Sequence, residues 1–255
     1  MSDLAARFEG LSREGRAALL ELLRKKKEEA ARAVAPSRPP RGGDLPLSFA
    51  QQRLWFIDRL APGSPLYNVP GALRWAGPLD PAVLAACLSE VIRRHDALRT
   101  RFEIRGGAPV QIVEPAAPLP LPLIDLAALP ETAQASEAER VVRAEYLTPF
   151  DLERPPLVRV RLVRLGPEEH LLCYVFHHIA SDGMSMQVTN REVAALYPAL
   201  LAGRPSPLPA LPLQYADFAW EQVHTLRGVA LERELAYWRP RLTGAPALEL
   251  PTDRP

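Results

Sequence analysis

The sequence predicts an α/β fold of the α+β layered-sandwich kind. Segments of helical period alternate with segments of strand period through residues 81–242, and one strand is apolar on both faces. That strand, His170 to His178, reads as a central strand covered from two sides. Pro81 to Arg94 supplies the complementary observation, because Val83, Leu84, Cys87, Leu88, Val91 and Ile92 recur at helical spacing.

The elements follow in chain order. Ser12 is placed to cap a helix from Arg13 to about Ala33, with Leu19, Leu20, Leu22 and Leu23 making an apolar face and Arg24 to Glu29 a charged end. Residues 1–34 are therefore read as a helical docking or linker segment, since such a helix can lay its leucines in a partner's groove. Residues 35–46 carry no periodicity and many prolines, and are read as a linker. The globular part is expected to run over 47–255. After the helix Pro81–Arg94, a strand is expected over Ala97–Ile104, with Val110–Val113 as its hairpin partner across Gly106-Gly107. Glu137–Tyr146 reads as helix, Leu157–Leu165 as a strand alternating apolar residues with arginine, and Met184–Leu201 and Gly228–Leu242 as helices.

Composition excludes several classes. A formal net charge of +1 gives no field to attract nucleic acid or membrane, and the arginines are interspersed with carboxylates. No secretory leader opens the chain and no long uncharged apolar run could span a bilayer, so a cytoplasmic protein is expected. Cys87 and Cys173 sit in apolar contexts without metal-ligand spacing and read as reduced core thiols. Many of the 28 prolines cluster in connectors such as Pro36 to Pro46 and Pro205 to Pro212.

Chemistry is concentrated where the central strand ends, at His177-His178-Ile179-Ala180-Ser181-Asp182-Gly183. Strand alternation puts His178 on the face of Phe176 and Tyr174, and His177 on the face of Val175 and Cys173. The two rings then cannot converge on one metal, and no metal site is expected. What remains is an imidazole, the side chain that titrates near neutrality, at the mouth of a sheet. Asp182 precedes a helix start, so its carboxylate is read as a helix cap or as the partner of an arginine.

These residues, with others in order, resemble a known family. The stretch is similar to the H-H-x-x-x-D-G motif of condensation domains of nonribosomal peptide synthetases. Leu47-Ser48-Phe49-Ala50-Gln51-Gln52-Arg53-Leu54-Trp55-Phe56 looks like the family's opening motif, followed by Pro62-Gly63-Ser64 and Tyr67-Asn68-Val69-Pro70. Arg94-His95-Asp96-Ala97-Leu98-Arg99-Thr100-Arg101-Phe102 looks like its second. Phe150-Asp151-Leu152 and Gln214-Tyr215-Ala216-Asp217-Phe218-Ala219 are similar to later segments, although the family's tryptophan falls one residue beyond Trp220. The resemblance covers roughly residues 44 to 255 and ends at what looks like the junction between two lobes, so the chain is read as the first lobe, without the second.

The resemblance implies a chloramphenicol-acetyltransferase-like lobe with a mixed sheet and flanking helices. It implies amide formation between a donor acyl or peptidyl thioester and an acceptor aminoacyl thioester. Both substrates would ride on the phosphopantetheine arms of upstream and downstream carrier domains, with an adenylation domain in the parent protein and no cofactor held by this chain. His178 would take a proton from the attacking amine or orient it, and Gly183 would keep backbone close to the thioester. His177 is expected to be structural. Asp182 is expected to pair with an arginine, Arg94 as first choice and Arg99 as runner-up. Gln51, Arg53, Tyr215 and Trp220 are candidates for the tunnel wall or its support. The motif around Ser181 looks more like domains joining two L-configured residues than like epimerisation or cyclising domains. Two other readings stand beside this one: a free-standing acyltransferase using coenzyme A thioesters, and a non-catalytic docking or scaffold fragment. The isolated lobe is expected to be inactive.

Overall fold

The structure, a computed structural model, describes residues 44–246 together with the isolated positions 21 and 248. Apart from Glu21, the expected helix Arg13–Ala33 lies outside the described residues, as do residues 35–43 of the expected linker, whose last two residues, Leu45 and Pro46, form a strand. The chain divides between residues 37 and 38, and everything below concerns the second unit.

In order, the elements are β1 (Leu45–Pro46), α1 (Phe49–Leu60), β2 (Asn68–Ala76), α2 (Pro81–Arg94), a 3-10 turn (Asp96–Arg99), β3 (Thr100–Arg105) and β4 (Ala108–Val113). They continue with β5 (Leu123–Asp125), α3 (Glu131–Leu147), β6 (Val158–Gly166), β7 (Glu169–His177), α4 (Gly183–Leu201), α5 (Tyr215–Thr225) and α6 (Val229–Leu242). One sheet runs β1-β4-β3, and the other runs β2-β7-β6-β5. In the larger sheet β2, β7 and β6 pair antiparallel while β5 joins β6 in parallel, so the sheet is mixed.

β7 is central, and its alternation builds two cores. Leu172, Tyr174 and Phe176 face the apolar stripe of α2 and residues Val193, Leu196 and Tyr197 of α4. Cys173 packs with Ala138 and Val141 of α3, and Val175 packs with Phe150, Leu157 and Ile179. α2 shows why this works locally. Asp80 accepts from the Ala82 and Val83 amides at 2.8 and 3.1 Å, Pro81 occupies the first turn, and Leu84, Cys87, Leu88, Val91 and Ile92 form one buried face. Each such leucine or isoleucine contributes roughly 1.5 to 3 kcal/mol by leaving water. Both cysteines are free and buried, and burial pushes each thiol up to about 11.

Several sequence expectations shift. The strand expected from Ala97 starts at Thr100, because Asp96–Arg99 wind into a 3-10 turn. The helix expected from Glu137 starts at Glu131, after Pro130. α1, β2 and α5 lack a sequence expectation altogether. The β3–β4 hairpin turns where expected, with Gly106 and Gly107 at φ of 56° and 82°, a backbone region that glycine enters without strain.

Candidate active site

β7 ends at His177, and the chain then turns sharply: the Ala180 amide donates to the His177 carbonyl at 3.0 Å. This turn gives the two adjacent rings opposite surroundings. His177 is buried, meets the Phe150 ring edge-on at 5.9 Å, and accepts the Ile179 amide on Nδ1 at 3.2 Å. Burial, with smaller contributions from His178 and Arg159, lowers its pKa to about 4. The ring is neutral, buried and bonded within the protein.

His178 is exposed, and its amide donates to the Tyr67 carbonyl at 2.8 Å. Its Nδ1 lies 2.8 Å from the Ser181 carbonyl oxygen. A carbonyl only accepts, so Nδ1 carries the proton and the neutral ring keeps its lone pair on Nε2. The ring borders a cavity of about 360 Å³ walled by Arg53 and Leu54 of α1, Tyr67, Ser181, Ser185 and Tyr215. Tyr215 is fixed there by its hydroxyl, 2.9 Å from Ser48 Oγ. Gly183 opens α4 at the edge of this loop, where an added Cβ would meet open space.

Among the described residues, Asp182 pairs with no arginine. Its Oδ1 accepts the Ser185 amide at 2.8 Å and the Ser185 hydroxyl at 2.7 Å, while the Asp182 amide donates to Ser185 Oγ at 3.1 Å. These bonds from Ser185 hold its carboxyl below the usual aspartate range. The side chain caps α4 from an exposed position, which is the other half of the sequence reading.

Both candidate arginines are engaged elsewhere. Arg94 is buried and donates Nε and Nη2 to the two carboxylate oxygens of Glu192 at 3.3 and 3.2 Å, and Nη1 to the Pro209 carbonyl at 2.9 Å. His95 Nε2 lies 2.9 Å from Glu192 Oε2. Arg99 pairs with Asp96 and donates to the Glu114 carbonyl. Glu192, half-way along α4, takes the place assigned to Asp182, because α4 lies directly against the end of α2.

Two further candidates move away from the cavity. Gln51 is buried and turns back to accept the Ser48 amide on Oε1 at 3.0 Å, completing a capping box for α1. Trp220 stacks on His224 with centroids 3.7 Å apart. Arg53 and Tyr215 do line it. The sequence reading missed Tyr67 and Ser185 as wall residues, although Tyr67 stood inside a quoted motif. Among the described residues, no three His, Cys, Asp or Glu side chains gather as a metal-ligand set, and no helix is long and apolar enough to cross a membrane.

Known proteins place this geometry. The condensation-domain family model matches residues 42–255. The chain is 47% identical to chondramide synthase cmdD of Chondromyces crocatus over 88% of its length, which is 6% of that protein. It is 42% identical to phosphinothricin tripeptide synthetase PhsC of Streptomyces viridochromogenes over 100% of its length, 24% of that protein. Among solved structures, the first condensation domain of the CDA synthetase superposes with a TM-score of 0.70 at 29% identity, covering 81% of this chain and 52% of that one. The chain thus spans about half of that solved structure and a small part of its curated relatives. With a mixed sheet, flanking helices and the chloramphenicol-acetyltransferase-like architecture of these neighbours, the chain belongs to the condensation-domain family.

Proposed function

We propose that this chain supplies the histidine-bearing lobe of a domain that forms peptide bonds between two carrier-bound thioesters. The observation that carries the reading is His178, held by the Ser181 carbonyl so that Nε2 offers its lone pair at an accessible cavity. In the reaction, the amine nitrogen of the acceptor attacks the donor thioester carbonyl. The carbon–sulfur bond breaks, the amine loses a proton, and the departing pantetheine sulfur ends protonated. His178 Nε2 accepts the hydrogen of the attacking amine, either taking the proton or fixing the nitrogen's direction. Holding both arms at one site makes the step effectively unimolecular.

The partners follow as part of the proposal: an upstream donor carrier, a downstream acceptor carrier, an adenylation domain in the parent protein, and a second lobe that closes the cavity. Support for that lobe comes from α6, which has no buried residue and exposes Val229, Tyr237, Trp238 and Leu242. The phosphopantetheine arms belong to the carriers, and this chain holds no cofactor of its own. Residues 1–34 are proposed to engage the upstream partner, and the reaction is placed in the cytoplasm.

The test is His178→Ala in a complete two-lobe domain with both carriers loaded. Dipeptidyl product should form roughly 10²- to 10⁴-fold more slowly, with unchanged melting, because the ring is exposed. Near-normal turnover would remove His178 from the chemistry. His178→Gln keeps an acceptor but cannot carry the proton, so substantial rescue by Gln assigns an orienting role and its failure assigns a base. Amide formation by residues 1–255 alone would instead favour a free-standing acyltransferase.

A further inference from the structure

We propose that a second cavity, beyond Tyr215, receives the apolar side chain of a thioester-bound aminoacyl group whose carbonyl lies at His178. This rests on the reading above and names its substrate class. The second cavity measures about 370 Å³ and adjoins the first, with Ala180, Asp182, Ser185 and Tyr215 lining both. A substrate reacting at His178 therefore has this space directly beside it. The size falls within the range of small-molecule sites.

The walls state what fits. Met184 and Val188 of α4, Leu98, Phe176, Leu211 and Leu213 present carbon. Several polar groups among the lining residues are already engaged. His95 is bound to Glu192, Gln214 bridges the Arg94 carbonyl at 2.8 Å and the Asp96 amide at 3.0 Å, and the Tyr215 hydroxyl meets Ser48. An aliphatic side chain gains burial there without stripping water from these groups. An acidic one would face the Asp182 carboxylate at the rim.

The segment supplying Leu211 and Leu213 is held in place from the core. Arg94 Nη1 grips the Pro209 carbonyl, and Gln214 ties the far end to the residues that follow α2. The buried Arg94–Glu192 pair thereby positions one wall of the cavity.

The experiment titrates a complete two-lobe domain with leucyl, alanyl and aspartyl thioesters of N-acetylcysteamine while following the His178 ring and the methyl groups of Val188, Leu211 and Leu213 by NMR. All three methyls should shift with the leucyl probe, which should bind at least about tenfold more tightly than the alanyl probe, since even one methylene in an apolar pocket is worth about 10- to 200-fold. The aspartyl probe should bind most weakly. Leu213→Trp and Val188→Trp, each filling the cavity from its rim, should bring the leucyl-to-alanyl ratio to about one. If both probes move His178 with equal affinity, the reaction site stands and the pocket fails. If no probe moves His178, the underlying reading fails with it. In a complete domain, leucyl and alanyl groups loaded on the donor or the acceptor carrier separate the two sources, because only the carrier whose side chain enters the cavity loses its preference in Leu213→Trp. Loss of preference on neither carrier would mean that the remainder of the domain fills this space, and would overturn the proposal.

Discussion

α4 meets two polar regions that manage charge in opposite ways. Half-way along it, Glu192 is buried with Arg94 and is also met by the half-buried His95, so its carboxylate has partners inside the protein. At its N-cap, Asp182 is exposed and spends its carboxylate on the Ser185 amide and hydroxyl, a bond set that any helix start can use. The same contrast divides the neighbouring histidines, with His177 sealed against Phe150 and His178 open at the cavity. The buried members are locked into the frame, while the open members stay within reach of solvent. Burial makes a lost partner costly, because the remaining charge cannot be hydrated.

The largest effect should come from breaking the buried region. Glu192→Ala leaves Arg94 without a counter-charge and should cost about 3 to 5 kcal/mol, read as a fall in the urea midpoint at unchanged slope. Glu192→Gln should cost less, since it retains an acceptor for the guanidinium. A loss below about 1 kcal/mol for the alanine variant would mean that Arg94 reaches water, as exposed pairs do.

Acid should expose the difference between the histidines. The folded pKa of His177 is about 4 against an ordinary 6.5. Between those values the unfolded chain binds a proton that the native state refuses, so stability falls with pH. The contribution is full above 6.5, falls as pH drops from 6.5 to about 4, and is absent below; it amounts to at most about 3 kcal/mol. His177→Gln can still accept from the Ile179 amide but does not titrate, so its stability profile should be flatter across that window. Parallel profiles for the two proteins would show that His177 is not the group responsible.

Much of the frame is readable without coordinates, for reasons that differ by element. α2 and β7 are legible because burial imprints a period on them, helical in one and continuous in the other. β2 is not, because Pro70 and Gly71 interrupt its pattern. It is an edge strand, where proline is tolerated, and Gly71 makes room for the Tyr174 ring, which would lie 2.1 Å from a Cβ there. α1 does carry a start signal, Ser48 with Gln51 three residues on, and that signal explains why Gln51 serves the helix rather than the cavity. The cluster of polar residues that ends β7 and starts α4 is legible from residue types alone. The partner of Arg94 is not, because Glu192 stands 98 residues away and no local pattern distinguishes it from Asp182.

The smallest effect should separate a cap from an ion pair at Asp182. Removing an N-cap costs about 0.5 to 2 kcal/mol, well under the loss expected for a buried pair. Asp182→Ala should therefore fold, melt a little lower, and lose the bonds to Ser185 that close the turn beneath His178. Asp182→Asn keeps a capping oxygen and should lie within a few tenths of a kcal/mol of the parent protein, since asparagine caps about as well as aspartate. An ion pair would order these variants differently, because asparagine cannot replace the charge and would fail nearly as badly as alanine. Equal losses of about 3 kcal/mol or more for both variants, measured by thermal unfolding of the complete domain, would place Asp182 opposite a cation in the assembled protein and end the capping account.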